Sequence, residues 1–446
     1  MKKIIIFFLF ISLFTSLKAQ EYWHRVACGL GEVGTGESVN ALLYDSIDNK
    51  LYAVGTFLTI DDTLACPGIA KWDGQEWDSI IPSGGIPSFT SLLLYNGYLW
   101  VGTANGYVGY YNGTAVVNVG GFNDEVLTMC VYRNKLYVGG RFTDVDGMSV
   151  SFIACYDGTN WSEPGGGIWC TQFPGDVSAM CVWNDKLIVG GSFDQAGGVS
   201  VHSVAAWNDT AWSDVGGGVI YTNAPTLVAM VFSLGVYQND LIVGGRLDKT
   251  GDNTMVNYIC EFNGVNWSSL GIGTTADVEA VYGWDSILYV GGGFLSAGGM
   301  PNTHYIAKWN GAQWQNVGTG LEGNPKTFCV YDSILYVGGY GFAIDGFIAP
   351  GIVRLMNYPD TALAINEIKE TEFTIYPNPA NETVTITAEN IKEIVVSNLL
   401  GEVVQSLKYK VQSNTAAIDI SKLSQGIYLL RFQTNNGWRV GKVVKE

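Results

Sequence analysis

Histidine is the side chain most often used for acid–base work and metal ligation near neutral pH, and this chain has three: His24, His202 and His304. His202 and His304 hold one position of a repeated pattern, two residues before Val204-Ala205 and Ile306-Ala307. That makes them one loop residue kept in two non-neighbouring units rather than a ligand set. A copper centre built from paired His and Tyr ligands is therefore not expected. Zinc is not expected either, because none of the eight cysteines forms a Cys-x-x-Cys pair. No histidine lies near a Gly-x-Ser-x-Gly turn, so a Ser-His-Asp arrangement does not form. The acid pairs Asp144 with Asp146 and Asp248 with Asp252 sit in polar loops. Asp144-Val145-Asp146-Gly147 lacks the downstream Glu of a calcium loop, and both pairs read as solvated turn residues. The Gly-Gly pairs are not followed by helices and so are not phosphate loops. No cofactor and no catalytic residue are implied.

Aromatic side chains are the better candidates. The longest connections, residues 165–176 and 216–226, carry Trp169, Phe173, Pro174 and Tyr221. Aromatics on long loops can stack on sugars or anchor a protein partner. Trp169, Phe173 and Tyr221 are accordingly the candidate ligand contacts, with a glycan or a protein as the expected ligand. The competing reading is that they only cover strand ends.

A repeat positions these loops. Its Leu anchor recurs at Leu51, Leu99, Leu136, Leu187, Leu241, Leu288 and Leu335. Each unit reads as four short strands. The first ends in an aromatic, as at Tyr132, and the second in Gly-Gly or a variant, as at Gly139-Gly140. The third runs into Asp-Gly or Asn-Gly, a strong hairpin signal. The fourth opens on Trp at Trp77, Trp161, Trp212, Trp267 and Trp314. Unit two is degenerate, with Val116 in place of the Trp, and unit seven has no fourth strand of its own. The chain before unit one supplies an orphan fourth strand, Trp23-His24-Arg25-Val26 followed by Gly29-Leu30. It matches the spacing of Trp314, Val317 and Gly320-Leu321. Seven four-stranded units whose last is completed by the N-terminal strand give an all-β chain, a seven-bladed β-propeller at residues 20–357.

Composition agrees with that class. Hydrophobic residues are 47%, charged residues only 15%, and there are 57 Gly, which suits many short strands and turns and excludes a disordered chain. The net charge of −17 argues against nucleic acid and anionic membranes as partners. Residues 1–19 read as a leader, with basic Lys2-Lys3, an apolar run and a small residue at Ala19; no transmembrane segment is expected. Export permits disulfides. However, Cys130, Cys181 and Cys329 share one repeat position in separate units, and Cys155 and Cys260 fall on third strands. Only Cys28, Cys66 and Cys170 lie in connecting segments where a pairing is open.

The Gly-Gly strand ends and spaced Trp residues resemble the kelch and galactose-oxidase-like propeller superfamily. The phrase Gly-Gly-x-Phe, then Ile-Ala-x-Trp-Asp/Asn-Gly-x-x-Trp, is similar to repeats in fungal cortical polarity-marker ectodomains. The resemblance covers residues 21–357 and implies a fold rather than an activity.

Residues 358–370 read as a linker, and residues 371–446 change character. Alternating Val384-Thr385-Ile386, Ile394-Val395-Val396 and Ile418-Asp419-Ile420, separated by Gly-bearing turns, read as a small C-terminal β-sandwich of immunoglobulin-like type. Tyr376-Pro377-Asn378-Pro379, the turn at Gly401, the strand through Gly426 and Tyr428, and the ending from Lys442 to Lys445 follow in order. This series closely resembles the type A C-terminal sorting domain of the type IX secretion system of Bacteroidetes. The resemblance implies the type IX secretion machinery as partner, passage across the outer membrane, and commonly removal of the domain with attachment of the cargo to the cell surface. The expected whole is a secreted or surface-displayed binding or adhesion scaffold. A carbohydrate-active enzyme and a structural surface-layer component are the rival readings.

Overall fold

The structure, a computed structural model, describes residues 21–26, 29–31, 37–60, 64–80, 88–171, 174–223, 228–344, 347–357, 374–398, 403–434 and 437–445. The leader, the linker, Cys28, Phe173 and Gly401 lie outside them. The chain divides into two compact units, Met1–Asp360 and Thr361–Glu446. Among the described residues every regular element is a strand.

The first unit repeats one antiparallel sheet. In the third sheet Val126–Tyr132, Lys135–Gly140, Ile153–Tyr156 and Trp161–Ser162 pair in that order. Five further four-stranded sheets have the same order. In the last, Glu322–Tyr331, Ile334–Ile344 and Ile352–Asn357 are followed at the edge by Glu21–Arg25, from Glu21 opposite Asn357 to Arg25 opposite Val353. The first strands of successive sheets touch in turn, and that of the last sheet touches Val39–Asp45 of the first. There Leu42 N donates to Thr327 Oγ1 at 3.2 Å.

Sheet meets sheet closely because the strand-two glycines have no side chain. A Cβ on Gly139 would lie 2.5 Å from Val177 Cγ1 of the next sheet, and one on Gly338 2.6 Å from Val39 Cγ1 across the closure. The apolar clusters are accordingly shared between neighbours. The one at the closure joins Leu42, Leu51 and Trp77 with Cys329, Tyr331 and Tyr336.

Two aromatic positions stitch the sheets with directed bonds. The fourth-strand indoles of Trp77, Trp161, Trp212, Trp267 and Trp314 donate Nε1–H to the carbonyls of Val26, Val119, Pro164, Gly216 and Leu270, each within or just beyond the preceding sheet's fourth strand. In sheet two, where Val116 replaces the Trp, the Tyr111 hydroxyl donates to Gly113 O of its own sheet at 2.7 Å and lies 3.4 Å from Ile80 O, the carbonyl equivalent to the other acceptors. Trp23 is 5% exposed, yet its Nε1 has no partner. Its strand is held instead by Lys308 Nζ on Glu21 Oε1 at 2.5 Å, with 15% and 25% of the two side chains exposed. At the other end of the sheets, the aromatics closing strand one do similar work. Tyr95, Tyr132, Trp183 and Tyr237 donate to the turn carbonyls of Asn134, Asp185, Asn239 and Ser286 in the next sheet.

Cys66, Cys130, Cys155, Cys170, Cys181, Cys260 and Cys329 are free thiols. Burial pushes Cys66 up to about 11 and Cys130 and Cys329 up to about 12, so these are inert packing groups rather than nucleophiles. Cys66 and Cys170 thus pair with nothing here, and Cys130 and Cys181, in neighbouring sheets, lie near enough to interact electrostatically.

The second unit is a single five-stranded hydrogen-bonded sheet. Its two long strands, Thr383–Asn398 and Val403–Asp419, change register near Ile391. Val384 and Ile386 from one half and Ile394 and Val396 from the other enter one core with Ile418, Leu430, Phe432 and Val443.

Two outcomes test this account. Trp267→Ala should cost about 3–5 kcal/mol in denaturant unfolding, as large core truncations do. Trp267→Phe should lose the bond to Gly216 as well as some packing, costing at least ~1 kcal/mol and less than Ala. Equal losses for the two variants would mean the ring, not the indole N–H, carries nothing. Deleting residues 21–25 should lower the melting temperature of the whole first unit, since it bares the edge of Ile352–Asn357 and the apolar face beneath Trp23. An unchanged melt would show that the seventh sheet is stable with three strands.

Candidate functional site

Every first strand in the ring carries a bulge in its first half, where the register skips one position. The skips fall between Val39 and Ala41, Phe89 and Ser91, Val126 and Thr128, Val177 and Ala179, Val231 and Ser233, Val278 and Ala280, and Pro325 and Thr327. A bulge frees one residue from the ladder and re-aims its side chain. The seven freed residues are Asn40, Thr90, Leu127, Ser178, Phe232, Glu279 and Lys326.

In three sheets the freed side chain ties its sheet to the next. Asn40 Nδ2 donates to Phe89 O at 2.7 Å, Thr90 Oγ1 to Val126 O, and Ser178 Oγ to Val231 O at 2.7 Å. Leu127 of the third sheet has no donor to offer, and the fifth, sixth and seventh sheets depart from this use together. Phe232, Glu279 and Lys326 bond no such carbonyl, and together they line a cavity of about 420 Å³ with Arg246 and Asp277. Three adjacent units thus carry an aromatic, an acid and a base at a position where three others carry a small stitching residue.

The charges in the cavity are unequally engaged. Arg246 stands directly after Gly244-Gly245 and reaches the next sheet, where its Nε lies 3.1 Å from both Asp277 oxygens and its Nη2 also bonds Oδ2. Hydrogen bonding to Asp277 raises the guanidinium pKa further above its ordinary value. Arg141 has the equivalent place in sheet three, with Glu125 Oε2 at 2.8 Å and Asp176 of the next sheet at 3.8 Å. Burial raises the Asp176 carboxyl above the usual carboxylate range. Glu279 accepts one bond, from Asn324 Nδ2 at 2.5 Å, on Oε1. Lys326 is exposed and reaches only Asn40 Oδ1, at 3.3 Å; among the described residues it forms no ion pair. Both oxygens of Asp277 are occupied by Arg246, so Asp277 and Glu279 do not form the pair of available carboxylates that glycoside hydrolysis uses.

The loop aromatics are placed differently from one another. Trp169 is 52% exposed in the short strand Ile168–Trp169, which pairs with Gln195–Ala196, and its Nε1 donates to Gly166 O at 3.0 Å. Its loop lies at the strand ends where Asp176 begins sheet four, the same end as the cavity. Tyr221 is half-buried and packs against the apolar cluster of Val219, Leu247 and Val256, which is a core role rather than an open one. Phe173 is outside the described residues. His202 Nδ1 lies 2.9 Å from Gly217 O, a loop contact.

Sequence reasoning passed over the cavity because no motif spells it. The signal that finds it is the residue one past the strand-opening apolar position. Read down the units it gives Asn40, Thr90, Leu127, Ser178, Phe232, Glu279, Lys326, a column that loses its pattern at its end.

In the C-terminal unit, motif pieces far apart in sequence meet at one sheet edge. Tyr376 ends Thr374–Tyr376 and is 75% exposed. Asn378, between Pro377 and Pro379, clamps the last strand: its Nδ2 donates to Lys442 O at 2.7 Å and its Oδ1 accepts from Val444 N at 2.9 Å. Ala380 N adds a bond to Val444 O at 2.9 Å. On the other side of that strand Gly426 pairs with Lys445 and Tyr428 with Val443. Tyr428 is 7% exposed, and its hydroxyl donates to Ser424 O at 2.9 Å. The side chain of Lys442 faces solvent. Gly401 is outside the described residues.

Comparison with known proteins separates the two units. No curated protein matches the chain. The first unit's likenesses among solved structures are distant. The computationally designed Ika8 protein is 12% identical with a TM-score of 0.43, covering 75% of this chain and 100% of that one. YCF48 bound to D1 peptide is 11% identical with a TM-score of 0.43, covering 77% and 97%. The extracellular domain of the one component system BT4673 from B. thetaiotaomicron is 9% identical with a TM-score of 0.21, covering 92% and 80%. Residues 374–446 match the family described as the secretion system C-terminal sorting domain. The C-terminal unit is therefore a secretion-system sorting domain, and the chain is one exported to the cell surface or beyond it.

Proposed function

We propose that residues 20–357 form a seven-bladed β-propeller closed by its N-terminal strand. In this reading residues 1–19 are the leader, residues 358–370 the linker, and residues 371–446 fold as a sandwich that addresses the propeller to the type IX secretion machinery. On the surface the propeller is a non-catalytic binding scaffold, and its ligand sits in the cavity where Phe232, Glu279 and Lys326 converge. The circular run of first-strand contacts and the tight fit of Gly338 on Val39 support the propeller.

One observation carries the binding reading. A residue repeated in every blade serves what every blade shares, which is packing; the freed bulge residue ties blade to blade in three, is the apolar Leu127 in a fourth, and in the three adjacent ones that remain lines a shared cavity. Locking Asp277 to Arg246 leaves Glu279 as the cavity's one available carboxylate, which favours recognition over the enzyme reading. Trp169, exposed at the same end of the strands, is a second candidate contact, with Phe173 on the same connection.

Two experiments test this. A chain lacking residues 374–446 should remain in the periplasm with its propeller folded; normal surface appearance of that chain would refute the sorting role. A screen of immobilised glycans and surface proteins with the full exported chain should yield a ligand whose binding falls about tenfold or more in Phe232→Ala. Trp169→Ala should leave the melting temperature within about 1 °C, because a half-exposed surface residue adds little stability. Binding that survives Phe232→Ala and Lys326→Ala but is lost in Trp169→Ala would move the site from the axis to the rim.

A further inference from the structure

The geometry points to the class of ligand: the cavity takes a small zwitterion, an α-amino acid with an apolar side chain or a short peptide of such residues with both ends free. The inference rests on the axial reading above and goes beyond it by naming the chemistry.

Three observations converge. Lys326 and Glu279 carry opposite charges on adjacent inner strands and line one cavity, yet they form no ion pair with each other. Each holds a single contact to a neutral amide, Lys326 to Asn40 and Glu279 to Asn324, and Glu279 Oε2 receives no hydrogen bond among the described residues. The remaining charges, Arg246 and Asp277, satisfy each other. The cavity therefore presents one ammonium donor and one carboxylate acceptor that are not paired with each other. A ligand that brings a carboxylate to Lys326 and an ammonium to Glu279 makes two charge-assisted bonds at once. A simple anion would leave Glu279 repelling it, and a neutral sugar would leave both charges uncompensated. Phe232 supplies the apolar wall against which a side chain packs. The volume of about 420 Å³ lies near the lower end of the roughly 300–1,000 Å³ range of ligand cavities, which suits a small molecule rather than a folded partner.

The chain's own acidity makes this arrangement informative. With a net charge of −17, an unpaired lysine on an inner strand is unlike the surface around it. The bulge also leaves its side chain outside the strand ladder, so folding of the sheet does not require it.

The test is calorimetric titration of the full exported chain with leucyl-leucine, its N-acetyl derivative and its C-terminal amide. The free dipeptide should bind, and blocking either end should weaken binding about tenfold to a hundredfold, the loss of one charge-assisted bond. Lys326→Ala should make the chain indifferent to amidation, and Glu279→Gln indifferent to N-acetylation, each with an unchanged melt. If the blocked peptides bind as tightly as the free one and Lys326→Ala or Phe232→Ala still weakens them, the site stands and the zwitterion is wrong. If binding ignores all three variants, the ligand lies elsewhere and the axial reading falls as well. If none of the three peptides binds, the zwitterion class is overturned, and the glycan and protein screen alone decides the site.

Discussion

A sheet of four short strands that is apolar on both faces cannot exist alone; each face must be covered by another sheet. In this chain that need is met in sequence order, each sheet packing on the one before, and the last returns to the first. Covering both faces of the seventh sheet requires a fourth strand that its own segment lacks, and Glu21–Arg25 provides it from the other end of the unit. The rest follows from close approach. Glycine is needed at Gly139 and Gly338 because a methyl group there would collide with the neighbour's valine. Aromatics recur where a sheet must both fill space and place a donor on the preceding sheet's carbonyl.

Such a ring distributes its stability over repeated contacts, and that makes departures readable. Sheet two lacks its Trp, and the Tyr111 hydroxyl that approaches the Ile80 carbonyl, at 3.4 Å, donates at 2.7 Å to Gly113 of its own sheet. The directed stitch is weakest where the indole is missing. Trp23 shows the opposite case. Its ring is buried but its N–H is unbonded, and the strand is instead secured by Glu21 on Lys308 and on Gly318 N. This pair is largely shielded from solvent, where an ion pair keeps more of its Coulomb energy than an exposed one.

How much of this was legible in the sequence depended on whether the responsible interaction was local. Asp157-Gly158 and Asn263-Gly264 announce their hairpins because the turn is made by those residues themselves. Period-two alternation announced an all-β chain for the same reason. The order Tyr376-Pro377-Asn378-Pro379, Gly426, Lys445 was readable as a sorting domain, but the reason for it was not. Asn378 bonds Lys442 and Val444 across more than sixty residues of chain, and nothing in the local sequence states that contact. The cavity lined by Phe232, Glu279 and Lys326 was hidden for a related reason. A bulge is a property of two strands in register, so the second residue of Val231–Phe232 looks like any apolar strand residue until its partner Gly245 is known to skip it. Tyr221 was misleading in the reverse sense. A long loop suggests exposure, whereas this loop folds back and packs its aromatic on the cluster below.

The bulge also explains why the start of the first strands, more than the outer loops, suits the binding proposed above. A side chain within the ladder is constrained on both sides by cross-strand neighbours. A loop side chain such as Trp169 is free of that constraint but is positioned only by a two-residue pairing. The bulged residue has both properties that a site needs. Its backbone is fixed by the flanking pairs, Val231 with Gly245 and Ser233 with Gly244, while its side chain takes no part in the ladder. Where it stitches blades, as at Asn40 and Ser178, a single modest hydrogen bond is at stake, about 1 kcal/mol. Exchanging it for Phe, Glu or Lys therefore sacrifices little stability within a unit stabilised by many equivalent contacts. Three adjacent exchanges create a pocket with an apolar wall, an acid and a base on a rigid frame, which is the preorganisation that binding a small ligand requires.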